Sequence, residues 1–316
     1  MLHKKTRLSI VIPVCDEERN VRPIYQRLSA CLSALGADNE IIFVDDGSTD
    51  RTADEIAALS ENDPKVRLIS FSRNFGHQAA LSAGMDRATG DAIISMDGDL
   101  QHPPELIAEL VKRWRDGYEV VYTLRTSSRR AFGPKAVFSS LYYWCFRRIS
   151  GVDLPSNTAD FRLLDAKVVT VLKQMPERNR FLRGMVCWTG YKSIGVPYQA
   201  EDRQEGRSKY GFGRMASLAL DGLVSFSVTP LYCAVGVGAL ISCLGFLYTI
   251  FALYSKLVTH HVLPGWTSLM MLTSIVGGFQ LLVMGIIGIY LGKVYEEIKQ
   301  RPLYVVSREL GFKHAS

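Results

Sequence analysis

Three short apolar runs mark the N-terminal third of the chain, and each stops at polar chemistry. Leu8 to Ile12 ends at Pro13, Glu40 to Val44 at Asp45-Asp46-Gly47-Ser48, and Ala92 to Met96 at Asp97. Near-continuous Ile and Val runs read as strands buried on both faces, which implies a parallel sheet. Helical spacing fills the intervals. Residues 16–35 place Val21, Ile24, Leu28, Cys31, Leu32 and Leu35 on one stripe, residues 52–59 are a shorter pattern, and residues 78–88 are Ala-rich. Ser48-Thr49-Asp50 predicts a helix N-cap region. Pro103-Pro104 opens a predicted helix over 105–115, residues 118–123 read as a further strand, and Pro134 begins a helix to 149 with an aromatic face. Strands alternating with helices predict a doubly wound α/β fold. In such sheets ligands collect at the carboxyl ends of the strands, where Asp45, Asp46, Asp97 and Asp99 fall.

The C-terminal third reads differently. Residues 222–255 and 262–292 contain no Asp, Glu, Lys, Arg or His. A spanning helix needs about 20 mostly apolar residues, so each stretch predicts one transmembrane helix. Arg203, Arg207, Lys209 and Arg214 precede the first; Lys293, Lys299, Arg301, Arg308 and Lys313 follow the second. Only Lys256, His260 and His261 lie between them. Cation asymmetry of this kind places both termini in the cytoplasm, and Met1 to Arg7 offers no apolar signal-peptide core. The expected organisation is a cytosolic domain over 1–210, a juxtamembrane amphipathic helix over 211–227, and two spans within 228–292. A short external loop over 256–265 joins the spans, and a cytosolic tail covers 293–316. The helix at 134–149 is either a core helix or an interfacial one with its aromatic face among lipid headgroups.

Composition and charge narrow the classes. The 316 residues are 47% hydrophobic and 22% charged, close to a globular average, so no part reads as fibrous. A net charge of +6 comes without interleaved aromatics and cations, which leaves nucleic-acid binding without support; attraction to anionic lipid explains the excess better. Cys15, Cys31, Cys145, Cys187, Cys233 and Cys243 show no metal-ligand spacing and read as reduced packing residues.

Asp97-Gly98-Asp99 is the sharpest candidate site. Two carboxylates one residue apart in an extended segment point the same way, and beside a diphosphate they can share a hard divalent cation that keeps several waters. Turns favour the same residues, so the match alone is weak. Its place at a predicted strand end, beside Asp45-Asp46 and with Gln101 able to add an oxygen, makes a metal site.

The ordered motifs carry a resemblance. Leu8 to Pro13 with Cys15-Asp16-Glu17-Glu18, Val44 to Asp50, Ser72-Arg73-Asn74-Phe75-Gly76 and Met96 to Glu105 are similar to successive motifs of family-two glycosyltransferases of the GT-A fold. Asn157 to Arg162, Arg180 to Gly184 and Gly206 to Tyr210 continue the pattern. With two C-terminal spans, nearly the whole chain resembles the polyprenyl-phosphate glycosyltransferases, relatives of dolichyl-phosphate mannose synthase. The group that glucosylates undecaprenyl phosphate for O-antigen modification of lipopolysaccharide fits best.

The resemblance implies roles. Pro13, Cys15, Glu17, Val44 and Asp46 would line the nucleotide, and Asp97 and Gly98 would lie against ribose and diphosphate. Asp99 and Gln101 would hold Mg2+ or Mn2+, and Arg125 would approach the sugar or its phosphate. Lys135, Ser139, Arg203 and Lys209 would grip the acceptor phosphate. Asp160 would sit at the reacting centre to orient the acceptor, take a residual proton or stabilise charge at the anomeric carbon, unless it merely caps a turn. Four departures stand out. Gly98 replaces a frequent Ala or Ser, a mild change; Cys15-Asp16 replaces Tyr-Asn; Lys135 replaces Arg; and Asp160 replaces the Gly of mannose synthases.

The implied reaction is a single inverting transfer of a hexose, glucose from UDP-glucose, to undecaprenyl phosphate at the cytoplasmic face. GDP-mannose or a UDP-aminosugar are alternative donors. A non-catalytic nucleotide-sugar-binding membrane partner is the rival of another class, and a transporter is disfavoured by spans that hold no charge. The resemblance implies a homo-oligomer, a tetramer, and residues 301–306 read as a short strand able to pair with a neighbouring subunit.

Overall fold

A computed structural model of the chain describes residues 6–126, 158–178, 180–199, 229–254 and 265–312. The order of elements begins β1 (Arg7–Val14), α1 (Val21–Leu35), β2 (Asp38–Asp45), α2 (Thr52–Asn62), β3 (Val66–Phe71), α3 (His77–Arg87) and β4 (Ala92–Ser95). A 3-10 turn at Pro104–Leu106 leads into α4 (Ile107–Arg115), followed by β5 (Val120–Arg125), β6 (Thr158–Asp165), α5 (Ala166–Gln174), α6 (Leu182–Trp188) and β7 (Ser193–Tyr198). Two long helices, α7 (Thr229–Tyr254) and α8 (Trp266–Ile298), precede a final strand, β8 (Val306–Leu310).

The eight strands form one sheet in the order β7-β5-β6-β4-β1-β2-β3-β8. The three apolar runs form its centre as β1, β2 and β4, with β4, β1, β2 and β3 mutually parallel, and the further strand predicted at 118–123 is β5. The sheet as a whole is mixed, which corrects the expectation of a parallel one: β6 runs antiparallel to both β4 and β5, and β8 antiparallel to β3. Polar residues inside β3 and β6 (Arg67, Ser70, Asp160, Arg162) broke the apolar runs by which the central strands were recognised. Ile10, Ile12, Phe43, Leu68 and Ile94 pack in one cluster with Val21, Ile24, Leu28 and Leu32 of α1, so the apolar stripe of that helix closes one face of the sheet.

At the amino ends of the central strands sits a buried ion cluster. Glu40, 1% exposed, accepts from the Ser9 hydroxyl and from the backbone and side chain of Thr89, and pairs with Arg7 and Arg67 at 3.1 and 2.7 Å. A single carboxylate thereby ties β1, β2, β3 and the turn before β4.

The tail does form a strand. It begins at Val306, later than 301–306, and pairs with β3 of its own chain, with Leu68 opposite Leu310 and Ser70 opposite Arg308. Tyr304 stacks on Phe71 with ring centroids 5.0 Å apart and donates its hydroxyl to Asp86. Arg87 meets Glu309 at 2.7 Å. The physical reason is the open edge of β3: a row of unpaired N–H and C=O groups recruits the nearest strand, and the tail supplies it.

Two units result. One holds the sheet together with the stretch after Arg301, and the other holds α7 and α8. Leu231–Phe251 and Ile275–Ile298 each have a mean hydropathy of 2.0. At 1.5 Å per residue, both are long enough for a hydrocarbon core of about 30 Å. Side chains such as Phe246, Leu281 and Leu282 stand exposed along them. The predicted helices at 134–149 and 211–227, most of the loop at 256–265, and Lys135, Ser139, Arg203 and Lys209 lie outside the described residues.

Candidate functional site

The carboxyl ends of β1, β2 and β4, with the amino end of antiparallel β6, bring most of the candidate residues together. Pro13 and Val44 are register partners inside the sheet, and the Val44 side chain has no exposure, so neither presents a side chain freely. Beyond β1 the chain turns sharply at Asp16, φ 55°. Asp16 N–H donates to Ser48 Oγ, Thr49 N–H returns to Asp16 Oδ1, and Glu17 N–H donates to Thr52 Oγ1. The N-cap of α2 is Arg51, one residue beyond the predicted 48–50 region, and it makes no side-chain cap bond; Asp50 accepts from Thr52 N–H just ahead of it. Cys15, half-buried, receives the Asn74 amide at 3.4 Å, and burial raises its thiol pKa.

Asp46 is committed to the backbone. Its carboxylate accepts from Phe75 N–H at 2.7 Å and Gly76 N–H at 3.0 Å, anchoring the segment that leads into α3. Burial raises its pKa; the two N–H groups work against that rise. Between Asp46 and Ser48, Gly47 has φ 68°, and an added Cβ would lie 2.4 Å from the Arg73 carbonyl carbon. Only glycine lets the two loops touch.

The acidic pair is not extended. β4 stops at Ser95, residues 98–99 form a turn, and Leu100 has φ 62°. The period-two premise for Asp97 and Asp99 therefore fails, because the left-handed residue folds the segment back. That fold brings His102 onto its own turn. Asp97 N–H donates to His102 Nδ1 at 3.0 Å, which leaves the neutral ring's proton on Nε2, 3.6 Å from Asp97 Oδ2. His102 is held flat by stacking on Phe161 at 5.2 Å. Asp99 Oδ1 accepts from Gln101 N–H. Gly98 is tighter than its mild departure suggested: a Cβ there would fall 2.6 Å from Val14 Cγ1 and 3.1 Å from the Pro13 carbonyl oxygen.

Asp97 is poorly satisfied. Its Oδ1 is shielded and accepts no hydrogen bond, and burial raises the carboxyl pKa against the pull of His102 and His77. Such a carboxylate is suited to a cation or a ligand hydroxyl. Among the described residues no three His, Cys, Asp or Glu side chains form a cluster able to hold a metal alone.

Asp160 shows the opposite condition. It lies in β6, 7% exposed, and Arg183 of α6 forks onto it, Nε to Oδ1 and Nη2 to Oδ2, both at 2.8 Å. Arg162 Nη2 adds a contact at 3.2 Å and His77 Nε2 one at 3.5 Å. Burial opposes ionisation here, yet these partners win and hold the carboxyl well below its usual range. Burial lowers the Arg162 pKa, though Asp160 counters it. Arg125 ends β5, exposed, close enough for its charge to act on Tyr198.

His77, His102, Arg162 and Arg183 were not singled out as site residues from sequence. Arg162 and Arg183 sat within recognised motifs with no role attached, and His77 directly follows one. His102 likewise lay within the Met96 to Glu105 motif with no role attached.

A family model described as glycosyl transferase family 2 matches residues 9–163. The chain is 42% identical over 313 residues to a Bacillus subtilis protein named "Uncharacterized glycosyltransferase YkcC", covering 99% of this chain and 97% of that one. The chain therefore belongs to glycosyl transferase family 2, an enzyme whose mixed sheet is of the GT-A type. Two further relatives are more specific. The "Prophage bactoprenol glucosyl transferase homolog" of Escherichia coli is 35% identical over 302 residues, covering 96% of this chain and 99% of its own. The "Bactoprenol glucosyl transferase" of Shigella phage SfV is 36% identical over 303 residues, with coverage of 96% and 99%.

Proposed function

We propose that this glycosyltransferase moves glucose from UDP-glucose onto a polyprenyl phosphate, undecaprenyl phosphate, at the cytoplasmic face of a membrane. The observation that carries the reading is the acidic turn and the Asp160–Arg183 clamp meeting at the strand ends, in a chain that also has two helices apolar enough to cross a bilayer. A water-soluble donor and a lipid acceptor each have a place. The near full-length likeness to proteins named bactoprenol glucosyl transferases supports the choice of sugar and acceptor.

The step balances without a strong base. An acceptor phosphate oxygen, largely anionic at neutral pH because the second phosphate pKa is about 6, forms the new bond to the anomeric carbon. The bond from that carbon to UDP breaks, and its electron pair leaves on the β-phosphate oxygen. One displacement inverts the centre and gives a β-linked product. Asp160, clamped and ionised, is a poor proton acceptor. Its proposed work is to hold Arg183 in place and to stabilise positive charge building at the sugar. Pro13, Cys15, Glu17, Val44, Asp46, Asp97 and Gly98 would frame the nucleotide, chiefly through backbone at Pro13 and Val44. Arg125 would meet the sugar or its phosphate, and Lys135, Ser139, Arg203 and Lys209 the acceptor phosphate.

A divalent cation fits the donor chemistry. Asp99 and Gln101 offer hard oxygen ligands in one turn beside under-satisfied Asp97, and a Mg2+-like ion takes the remainder from phosphate and water. When bound, Mg2+ or Mn2+ spreads the charge that develops on the departing diphosphate. The proposal also includes both termini in the cytoplasm and assembly as a homo-tetramer.

Membranes or purified enzyme incubated with labelled UDP-glucose, undecaprenyl phosphate and Mg2+ or Mn2+ test it. Label should move into a mild-acid-labile lipid with release of UDP, and a chelator or Asp99→Ala should stop it. Transfer from GDP-mannose or a UDP-aminosugar in place of UDP-glucose would replace the sugar; no lipid product from any donor would end the reading.

A further inference from the structure

One side chain lies between the carboxylates of Asp97 and Asp160. His77 Nε2 is 3.5 Å from Asp97 Oδ1, in the turn after β4, and 3.5 Å from Asp160 Oδ2, in β6. Like charges this near one another disfavour joint ionisation. Asp160 is ionised firmly by its arginines, and Asp97 Oδ1 is shielded with no hydrogen bond of its own. The imidazole is the group interposed on the Asp97 side.

Its backbone is fixed from several directions. His77 opens α3, directly after Gly76 at φ 100°. Asp46 holds the N–H groups of Phe75 and Gly76. One residue on, Gln78 Oε1 accepts from Leu182 N–H at 3.1 Å, tying the start of α3 to the start of α6, where Arg183 resides. The ring is thus delivered by a segment anchored to β2 and α6, and it reaches β6 and the acidic turn. The charged groups that bear on it are Asp97, Asp160, Asp46 and Arg183. The imidazole side chain is 40% exposed, so desolvation opposes a cation there only in part, together with the helix N-terminus. The bond to Asp160 and the fields of the two carboxylates outweigh burial and raise the imidazole pKa.

We propose that His77 is a positioning residue, a cationic pin that holds the donor-side turn at Asp97 in register with the Asp160–Arg183 clamp. Without it, Asp97 and Asp160 repel across the gap, and the clamp and the turn drift apart. A misplacement of that kind lowers the rate of the chemical step more than it weakens donor binding. The pin acts through its two carboxylates and needs no contact with the reacting atoms. The effect on rate rests on the transfer proposed above; the pin itself does not.

The test compares wild-type full-length enzyme with His77→Gln and His77→Lys, using whichever nucleotide sugar the wild type turns over. His77→Gln should lose roughly ten- to a hundredfold in kcat, the scale of a misaligned reacting pair, with KM for the donor and Kd for UDP little changed. His77→Lys, which restores a cation, should recover most of that loss. Wild-type turnover by His77→Gln, or a lysine variant no better than the glutamine one, overturns the pin. A thermal-unfolding cycle with Asp97→Asn needs no activity. His77→Gln should lower the unfolding midpoint in the wild-type background and clearly less in the Asp97→Asn background, because the repulsion has been removed. Equal losses in both backgrounds overturn the pin even if the wild type transfers no sugar; a wild type inactive with every donor overturns the reaction and leaves this cycle to decide.

Discussion

Neutralising Asp160 should destabilise the sheet unit and uncouple Arg183 from it. Asp160→Asn keeps the shape but removes the charge that compensates Arg162, which is 5% exposed, and Arg183, whose side chain is 32% exposed. Removing one partner of a buried pair costs about 3–5 kcal/mol. Arg183 can turn partly to water, so its share is screened, and a total of about 2–4 kcal/mol is appropriate here. Arg183→Gln leaves Asp160 with Arg162 and His77 and should cost about 1–2 kcal/mol, the lower part of the range for charge-assisted bonds. For a domain of this size, each kcal/mol is worth roughly 2–4 °C in Tm, so Asp160→Asn should lower the midpoint by about 4–16 °C. Thermal unfolding of the purified full-length protein, followed by near-UV circular dichroism, reads all four corners of the cycle. Once Asp160 is neutral, Arg183→Gln should cost close to nothing. If it costs the same in both backgrounds, to within about 0.5 kcal/mol, the fork is not the coupled pair described above.

Three other outcomes follow from separate parts of the molecule. Gly98→Ala should cost about 1–3 kcal/mol by overpacking against Val14, and Val14→Ala added to it should regain stability; a neutral Gly98→Ala on a thermal melt contradicts the close approach. Glu40→Gln should lower Tm by roughly 6–12 °C, taking about 3 kcal/mol for a buried partner lost by two arginines, while kcat at a permissive temperature stays unchanged, since Glu40 lies at the amino end of β2, far from the acidic turn. In the presence of chelator, Asp97→Asn should raise Tm at pH 7 and flatten its pH dependence on the acid side. The sign follows from the raised pKa: the folded state binds the Asp97 proton more tightly than the unfolded state, so stability grows as pH falls through the raised folded value and levels off below the ordinary aspartate pKa of about 3.9. Asp160 behaves oppositely. Its contribution is present above the ordinary aspartate pKa of about 3.9 and is lost only as pH falls through the lower folded value, so it adds no slope near neutrality.

Much of the fold was legible because burial on both faces writes itself into composition. Ile10, Val11 and Ile12, or Ile41 to Val44, are runs unbroken by a polar residue, and the chain announces those strands directly. β6 is equally buried but carries Asp160 and Arg162, which the interior tolerates only because each partly satisfies the other. An ion pair inside a strand removes the signal by which strands are found. β8 was legible only in part: its apolarity was visible, but its bounds are set by pairing with the open edge of β3, a strand the apolar runs had not revealed. In the site, the acidic residues were found because their positions at strand ends are sequence-local. The cations that govern them were not, because Arg183 reaches Asp160 across 23 residues and His77 across 83, distances that only the folded sheet closes.

The excess of acid in the site is resolved by counting commitments. On the proposed reading, a diphosphate and a phosphate monoester approach Asp45, Asp46, Asp97, Asp99 and Asp160, and five bare carboxylates would repel both ligands. Asp45 accepts from Ser48 N–H, and Asp46 from Phe75 and Gly76. Asp160 is covered by two arginines. These three build loops and orient cations; their charge is spent inside the protein. Asp97 is different, with a shielded oxygen that accepts no hydrogen bond and a carboxyl pushed up by burial. It shares its turn with Asp99, so whatever negative field the site retains is concentrated within three residues. A cation arriving with the donor would relieve that field and the donor's own charge together. This links the fold to its proposed chemistry: Asp45, Asp46 and Asp160 are committed to loops and arginines, and the turn that carries Asp97 and Asp99 lies where the nucleotide is proposed to bring a metal.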